Sequence, residues 1–346
     1  MASFNAITFN CNGLGNKGKR QKVFTYLRDK LKYGFVFLQE THSVQNLEKE
    51  WKSQWGGDIF FSHGKSNSTG CAIAFSKNFS AKIISQAKDE NGRLLILEAS
   101  IQDKKYLLIN FYNANTELDQ LNVLDLLISK LDGLDIDTSC KPIFGGDFNL
   151  IFDTTLDASG GNPSLKKRAL AKLIKILQNL DATDIFRVRH PLLKHFTFHR
   201  KNPTIQRRLD FFFTANVLQE YIGVVKILPS FMSDHSPVFI SVNHQSEFTR
   251  GRYGWKFNNS LLQDKNFSSE MKSYFESLKN DLNTLANPHL KWEYLKYEAP
   301  KFSIAFSKNK ILTESRMKTH HENVIKRYTS TENRPPDRDY AEKPVP

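Results

Sequence analysis

Five apolar segments of this chain each run into a short polar cluster with chemistry to offer. The clusters are Asn10-Cys11-Asn12, Gln39-Glu40-Thr41, Asn110-Phe111-Tyr112, Asp147-Phe148-Asn149 and Ser233-Asp234-His235-Ser236. Charged groups at the ends of buried strands cost roughly several kcal/mol unless they are paired or hold a cation. One shared metal site would account for all five. Oxygen donors without a cysteine pair or a histidine cluster point to Mg²⁺ or Mn²⁺ and away from zinc. Asp147 and Asn149 stand at i and i+2 on an extended segment and so point to one side, a carboxylate to take a proton from water and an amide to hold an oxygen. His235 can donate to a phosphoryl oxygen if a separate carboxylate orients it, and Asp210 in Arg207-Arg208-Leu209-Asp210-Phe211 is the candidate. That set suits phosphodiester hydrolysis.

Each residue also has a plainer reading. Glu40 could start a helix, Asp147 could serve a turn after Gly145-Gly146, Asp210 could pair with Arg207, and Ser233 to Ser236 could cap a turn before Pro237. These readings are independent of one another, whereas the catalytic reading needs all the residues together, so their joint placement favours catalysis. Gly13-Leu14-Gly15-Asn16-Lys17-Gly18 matches the G-x-G-x-x-G dinucleotide fingerprint, with Glu40 roughly 20 residues on. The polar Asn10-Cys11-Asn12 before it is not what a pyrophosphate turn calls for, and nothing later supplies the second half of a dinucleotide fold. It reads as a Gly-rich loop before a basic helix start.

The elements that must position these residues alternate between short strands and amphipathic helices. Strand patterns fall at 4–10, 35–39, 58–62, 71–75, 94–101, 106–112, 142–145, 209–214, 224–228 and 238–242. Val23, Leu27 and Leu31 line one helix face, and Leu170, Leu173, Ile174, Leu177 and Leu180 line another. Only Gln102-Asp103-Lys104 and a neighbouring lysine separate two strands, which makes those strands antiparallel neighbours and the sheets mixed. A purely parallel doubly wound fold is disfavoured, and the class is α/β. Beyond Asn243 the pattern turns helical, with Gly251 and Gly254 at the boundary. Met271, Phe275, Leu278, Leu282 and Leu285 predict one helix stripe that Asn287-Pro288 ends. The organisation read from this is a catalytic domain at 1–243, a helical extension at 244–330, and a disordered tail at 331–346, where four prolines sit among charges.

Composition bounds the rest. The 346 residues include 27 Phe, enough for a large core, and three cysteines too far apart for a disulfide framework. Lys and Arg number 49 against 36 Asp and Glu, a formal charge of +13 shared by both parts of the chain, which favours a polyanionic partner. No apolar run approaches a membrane span, and the first residues do not read as a signal peptide, so the expectation is an intracellular protein, nuclear or cytoplasmic, with no membrane partner.

In order along residues 10–236 stand N-x-N-G-L, Q-E-T, N-x-Y, G-D-F-N, R-L-D and S-D-H-S. This series resembles the endonuclease/exonuclease/phosphatase superfamily, and within it the N-terminal endonuclease of LINE-type non-LTR retrotransposons. The resemblance continues into Trp255-Lys256-Phe257-Asn258-Asn259 and residues 292–310, the region that precedes reverse transcriptase in those elements. It implies a four-layered α/β sandwich, two packed mixed sheets flanked by helices, with a C-terminal helical extension. It also implies Mg²⁺-dependent nicking of duplex DNA that leaves a 3′-hydroxyl able to prime reverse transcription. By resemblance, Glu40 binds the metal with Asn12 and Asp234 nearby, Asn10 and Asp147 orient and activate the attacking water, and Asn149 stabilises the pentacovalent phosphorus. Tyr112 contacts the scissile phosphate while the Asp210–His235 pair acts from the other side. DNA contact falls to Asn115 and, in a hairpin expected near 195–208, to Thr197, His199, Arg200, Lys201, Arg207 and Arg208.

Element RNA and a reverse transcriptase are further implied partners, the latter absent from this chain, which reads as a truncated element or a stand-alone nuclease. Asn113-Ala114 departs from the small residue and proline that often follow the tyrosine. The tryptophan common before R-L-D in apurinic repair enzymes is missing, which weakens a repair endonuclease as the alternative reading. A phosphoinositide phosphatase would carry P-x-W-x-D-R, and a secreted deoxyribonuclease disulfides; neither pattern is present. A DNA-binding relic without turnover is the remaining alternative, and it sits poorly with competent residues at every catalytic position.

Overall fold

The computed structural model describes residues 3–65, 68–243, 257–284 and 288–329. The chain divides into two compact units, residues 1–247 and 248–346. The first is built on two six-stranded sheets, with elements numbered in chain order. One sheet runs β14 (Ile222–Ile227), β15 (Val238–Val242), β1 (Phe4–Asn10), β2 (Gly34–Gln39), β4 (Cys71–Phe75), β3 (Ile59–Ser62). The other runs β10 (Ala182–Asp184), β13 (Asp210–Ala215), β8 (Lys141–Asp147), β7 (Lys104–Tyr112), β6 (Leu94–Ile101), β5 (Lys82–Lys88). β1 and β2 are parallel, as are β7 and β8, while the other pairs are antiparallel, so both sheets are mixed.

Strand periodicity sorts the phenylalanines into layers. Phe35 and Phe37 of β2 face inward, where they meet Leu95 and Leu97 of β6, Leu108 of β7 and Phe212 of β13 between the sheets. Their neighbours Val36 and Leu38 face outward onto Val23, Phe24 and Leu27 of α1 (Lys17–Leu31) and Trp51 and Trp55 of α2 (Glu48–Trp55). On the far side, Phe111, Phe144 and Phe213 pack against Leu124 and Leu127 of α3 (Glu117–Asp132) and Leu173 and Ile176 of α4 (Lys167–Asn179). Strands buried on both faces read as continuous apolar runs. The result is the expected sandwich of helix, sheet, sheet and helix.

Local chemistry sets the boundaries. Asn16 caps α1 by accepting from the Lys19 amide, and Thr116 caps α3 through Asp119. Gly146, at φ +151°, is the last residue but one of β8, where a Cβ would sit 1.8 Å from the Phe111 carbonyl oxygen, so only glycine lets β7 and β8 close just before Asp147. The sequence pattern overlooked β5, whose residues alternate between exposed and half-buried, and four very short strands, β10 and then β9 (Ala158–Ser159), β11 (Phe198–Arg200) and β12 (Ile205–Arg207). These last three form a small sheet, with β11 and β12 as the hairpin. On α4, Ile174 is exposed, and Ile176 takes the core place expected of it. α5 (Ile185–Arg189) completes this unit.

In the second unit the stripe expected as one helix is divided at Leu278 between α6 (Lys265–Ser277) and α7 (Lys279–Thr284). Pro288 opens α8 (Pro288–Thr329), where its missing amide hydrogen costs nothing. Phe267 of α6 packs on Phe302 and Phe306 of α8 at 5.9 and 5.2 Å, and Lys310 pairs with Asp264 at 2.6 Å. Among the described residues no helix is long and apolar enough to cross a membrane. Residues 244–256, including Trp255 and Lys256, and the tail expected at 331–346 lie outside the described residues.

Candidate active site

Strand register brings the site together. Parallel pairing sets Tyr112 of β7 beside Asp147 of β8, and antiparallel pairing sets Asp210 of β13 on the other side of Asp147. In the facing sheet, β1 ends at Asn10 beside Gln39 of β2, with Glu40 next. Asn10 joins the two sheets, its Nδ2 donating to Glu40 Oε1 and to Asp147 Oδ2, both at 2.9 Å. Tyr112 donates its hydroxyl to the same Glu40 oxygen at 2.7 Å. Deeper still, Gln39 Nε2 donates to Asn110 Oδ1 at 2.7 Å, and Asn110 Nδ2 donates to the Leu38 and Ala72 carbonyls at 3.0 and 2.8 Å. This fully buried amide pair pins the sheets beneath the site.

His235 Nδ1 and Asp210 Oδ2 are 2.8 Å apart, and His235 Nε2 is 3.9 Å from Asp147 Oδ2. The three side chains are buried and their ligating atoms lie within 4.8 Å of one another. Burial disfavours charge on His235, but Asp210 and then Asp147 outweigh it and push its pKa up to about 10. Burial also pushes Asp147 up to about 7, helped by Asp210 and opposed by His235 and by the Asn10 hydrogen bond. An imidazolium here offsets one of the two carboxylates and leaves the cluster with one net negative charge when both acids are ionised.

The cation expected from the sequence would fall to the oxygen donors toward Glu40. Asn12 Nδ2 donates to Asp234 Oδ1 at 3.0 Å, which brings those two side chains together beside the Asn10–Glu40 pair. Both contacts to the Glu40 carboxylate fall on Oε1, leaving Oε2 without a hydrogen bond among the described residues. Cys11 lies between these ligands, but burial raises its thiol far above the usual value, so it stays protonated and offers no soft ligand. A hard, oxygen-only donor set fits Mg²⁺ or Mn²⁺. Asn12, Glu40 and Asn149 all adopt left-handed backbone, at φ 46°, 49° and 47°. Each of the three lies in the turn that follows β1, β2 or β8.

Residues 7–235 match the endonuclease/exonuclease/phosphatase family. The chain belongs to that family. It is 30% identical over 268 residues to the uncharacterized 149 kDa protein of transposon TX1 from Xenopus laevis, a match covering 77% of this chain and 20% of that protein. The chain thus spans about a fifth of the length of that relative. Among solved structures it is similar to the AP endonuclease LMAP of Leishmania major, with TM-score 0.57, 18% identity, and coverage of 70% of this chain and 88% of that one. An AP endonuclease from Archaeoglobus fulgidus gives TM-score 0.52 at 22% identity, covering 68% of this chain and 98% of its own. At such identities the structures speak for the fold, and it is the family's α/β fold.

The residues assigned to DNA contact separate into two groups. Arg200 and Lys201 are exposed at the end of β11 and just beyond it, and Asn115 is exposed beside a cavity of about 540 Å³ that Lys65 and Arg93 also line. His199 is half-buried and packed close to the site, its amide donating to the Asp234 carbonyl at 3.0 Å, and burial lowers its pKa. Arg207 is held on the Ser159 and Gly160 carbonyls at 2.8 and 2.9 Å. Thr197 and Arg208 correct the sequence reading, because neither faces solvent. The Thr197 hydroxyl accepts from the amides of Leu209 and Asp210 at 3.0 and 3.1 Å and so fixes the start of β13. Arg208 binds Asp157 and Asp184, each at 2.7 Å, and lies 4.3 Å over the Phe211 ring.

Several contributors escaped the sequence reading. Arg93 lies 4.8 Å over the Tyr112 ring and donates to the Asn113 carbonyl at 3.1 Å. Lys166 precedes α4, the helix start expected there, but its ammonium also reaches the Asn115 and Asn149 carbonyls at 2.6 and 3.1 Å. Neither residue belongs to a motif. Asn149 itself donates from its backbone to Asp147 Oδ1 and from Nδ2 to the Asn113 carbonyl, which fixes the G-D-F-N turn.

Proposed function

We propose that this protein is a Mg²⁺-dependent DNA endonuclease that nicks duplex DNA and leaves a 3′-hydroxyl. The observation that carries the reading is the series of contacts from Asp210 through His235 and Asp147 to Asn10 and Glu40, all hydrogen bonds except the 3.9 Å approach of His235 to Asp147, and we read its two ends as an acid–base group and a hard-cation site. Asp147, in its ionised form, takes the proton of the attacking water, and Asn10 holds the carboxylate that does so. His235, kept charged by Asp210, donates to a phosphoryl oxygen from the opposite side. Burial and then Glu40 push the Tyr112 phenol far above its usual range, so it stays neutral, and its single hydrogen, given to Glu40 in this structure, would turn to the scissile phosphate. Asn149 retains one amide hydrogen for the pentacovalent phosphorus. Glu40, Asn12 and Asp234 would hold Mg²⁺, which neutralises charge growing on the phosphoryl oxygens.

Duplex DNA is supported as substrate by the net charge, by the exposed Arg200 and Lys201 beyond β11, and by Asn115. Similarity to a transposon protein favours target-site nicking over repair, with an RNA of the same element and a reverse transcriptase moiety as partners. The test compares intact duplexes with duplexes carrying one abasic site, in Mg²⁺ and in EDTA. Metal-dependent nicking of intact DNA at rates within about tenfold of the abasic substrate supports target-site nicking, and a preference of about 10³ or more for abasic DNA makes it a repair enzyme.

A further inference from the structure

The segment just after Glu40 is held by a hydrogen-bonded relay that the catalytic set does not use. Thr41 Oγ1 donates to Ser43 Oγ at 3.0 Å, Ser43 Oγ lies 2.9 Å from His63 Nδ1, and His63 Nε2 lies 2.8 Å from Glu48 Oε1. With a proton on His63 Nε2 and none on Nδ1, every link becomes a donor–acceptor pair running in one direction. The relay joins the loop after β2 to the residue following β3 and to the first turn of α2. Thr41 and Ser43 are buried, and the His63 ring stacks on Phe61 at 5.1 Å.

This segment needs holding. Glu40 and His42 have φ of 49° and 51°, two left-handed non-glycine residues in three, each costing about 1 kcal/mol or more unless the surroundings impose it. Main-chain bonds from Thr41 to the Gly70 carbonyl and from His42 to the Thr69 carbonyl hold the backbone. Gly70 packs so closely that a Cβ there would lie 2.4 Å from Thr41 Oγ1. The relay is the side-chain half of the same clamp.

We propose that Ser43, His63 and Glu48 brace the loop so that the Glu40 carboxylate is preset for a divalent cation, which makes His63 a positioning residue for metal binding. The inference rests on the reading of Glu40 as a cation ligand. Ser43, His63 and Glu48 also have the composition of a hydrolase triad, but Ser43 is 4% exposed, too enclosed to attack a substrate.

The test is the affinity of the full chain for Mn²⁺ alone, without DNA, by calorimetric titration, alongside the Mg²⁺ dependence of nicking. Glu40→Gln sets the baseline and should weaken Mn²⁺ binding by about 10²-fold or more. His63→Ala and Ser43→Ala should each weaken it about tenfold, raise the half-saturating Mg²⁺ for nicking by the same factor, and leave kcat at saturating metal near wild type. Glu48→Gln, which keeps an acceptor for Nε2, should stay within about threefold of wild type. If Glu40→Gln binds Mn²⁺ normally, the ligand reading beneath the inference fails. If Glu40→Gln loses the ion while folded His63→Ala and Ser43→Ala keep it, the brace is overturned. Ser43→Ala removes a single hydroxyl and decides the matter even if His63→Ala does not fold.

Discussion

Burial and neighbouring charge decide the protonation of the two groups that face each other at 3.9 Å, His235 and Asp147. His235 has its pKa raised from 6.5 to about 10, so the stability its charge contributes is fully present below about pH 6.5 and is lost as pH rises through about 10. Asp147 is an acid with a raised pKa, so its ionisation costs stability progressively between its ordinary 3.8 and about 7. Turnover needs ionised Asp147 and charged His235, which predicts a bell-shaped pH–rate profile whose acid limb moves to lower pH as Mg²⁺ is raised. An acid limb indifferent to Mg²⁺ would argue against Asp147 as the base. Asp210→Asn removes the strongest influence raising the His235 pKa; nicking should fall by at least about 10²-fold and the alkaline limb should move down toward neutrality. A variant with wild-type rate and profile would remove Asp210 from the account.

Elements carry two further consequences. The small sheet of β9, β11 and β12 presents Arg200 and Lys201, and replacing both by Ala should weaken duplex binding and flatten the salt dependence by about two phosphate contacts, a slope change of about 1.8, without lowering kcat at saturating DNA. An unchanged slope in salt titrations would place DNA elsewhere. Beneath that sheet, Asp157 takes Arg208 and Arg187 at 2.7 and 2.6 Å and also accepts from the amides of Phe152 and Asp153. Asp157→Ala leaves Arg208 buried and short of a partner, and thermal unfolding should register a loss of about 3–5 kcal/mol. The family resemblance implied a hairpin here but not its polarity. A doublet such as Arg207-Arg208 alternates sides on an extended chain, so one member turned inward, and only the position of Asp157, some fifty residues away, decides which. For the same reason Thr197 read as a surface residue, because the amides it accepts from belong to a strand that begins 13 positions later.

At the scale of the whole molecule, the α/β class and the mixed sheets were legible because most strands are apolar on both faces and alternate with amphipathic helices, while the four-layered sandwich was implied by the family resemblance. Asn10, Glu40, Tyr112 and Asp147 could be singled out together since each ends or directly follows a buried run, whereas Asp210 opens β13 and Asp234 and His235 precede β15, and register brings the two sets together. Register itself is not written locally. It emerges from packing such as the Gln39–Asn110 pair, and that is why Arg93 and Lys166 went unseen and the pairing of the two amides could not be read. Residues 1–247 hold every residue of the candidate site, so that fragment should fold cooperatively and nick plasmid at a rate within about tenfold of the full chain. Loss of nicking in a folded fragment would give residues 248–346 a part in catalysis.

The measurement that bears most directly on metal-dependent phosphodiester hydrolysis is nicking of supercoiled plasmid by the wild type in Mg²⁺ and in EDTA, beside Asp147→Ala and His235→Ala. Conversion to open circles only with metal, reduced by at least about 10²-fold in each variant, is the expected outcome. A folded wild type that binds DNA and never nicks it, or variants that nick as fast as the wild type, would show that this cluster of strand ends does not cut DNA.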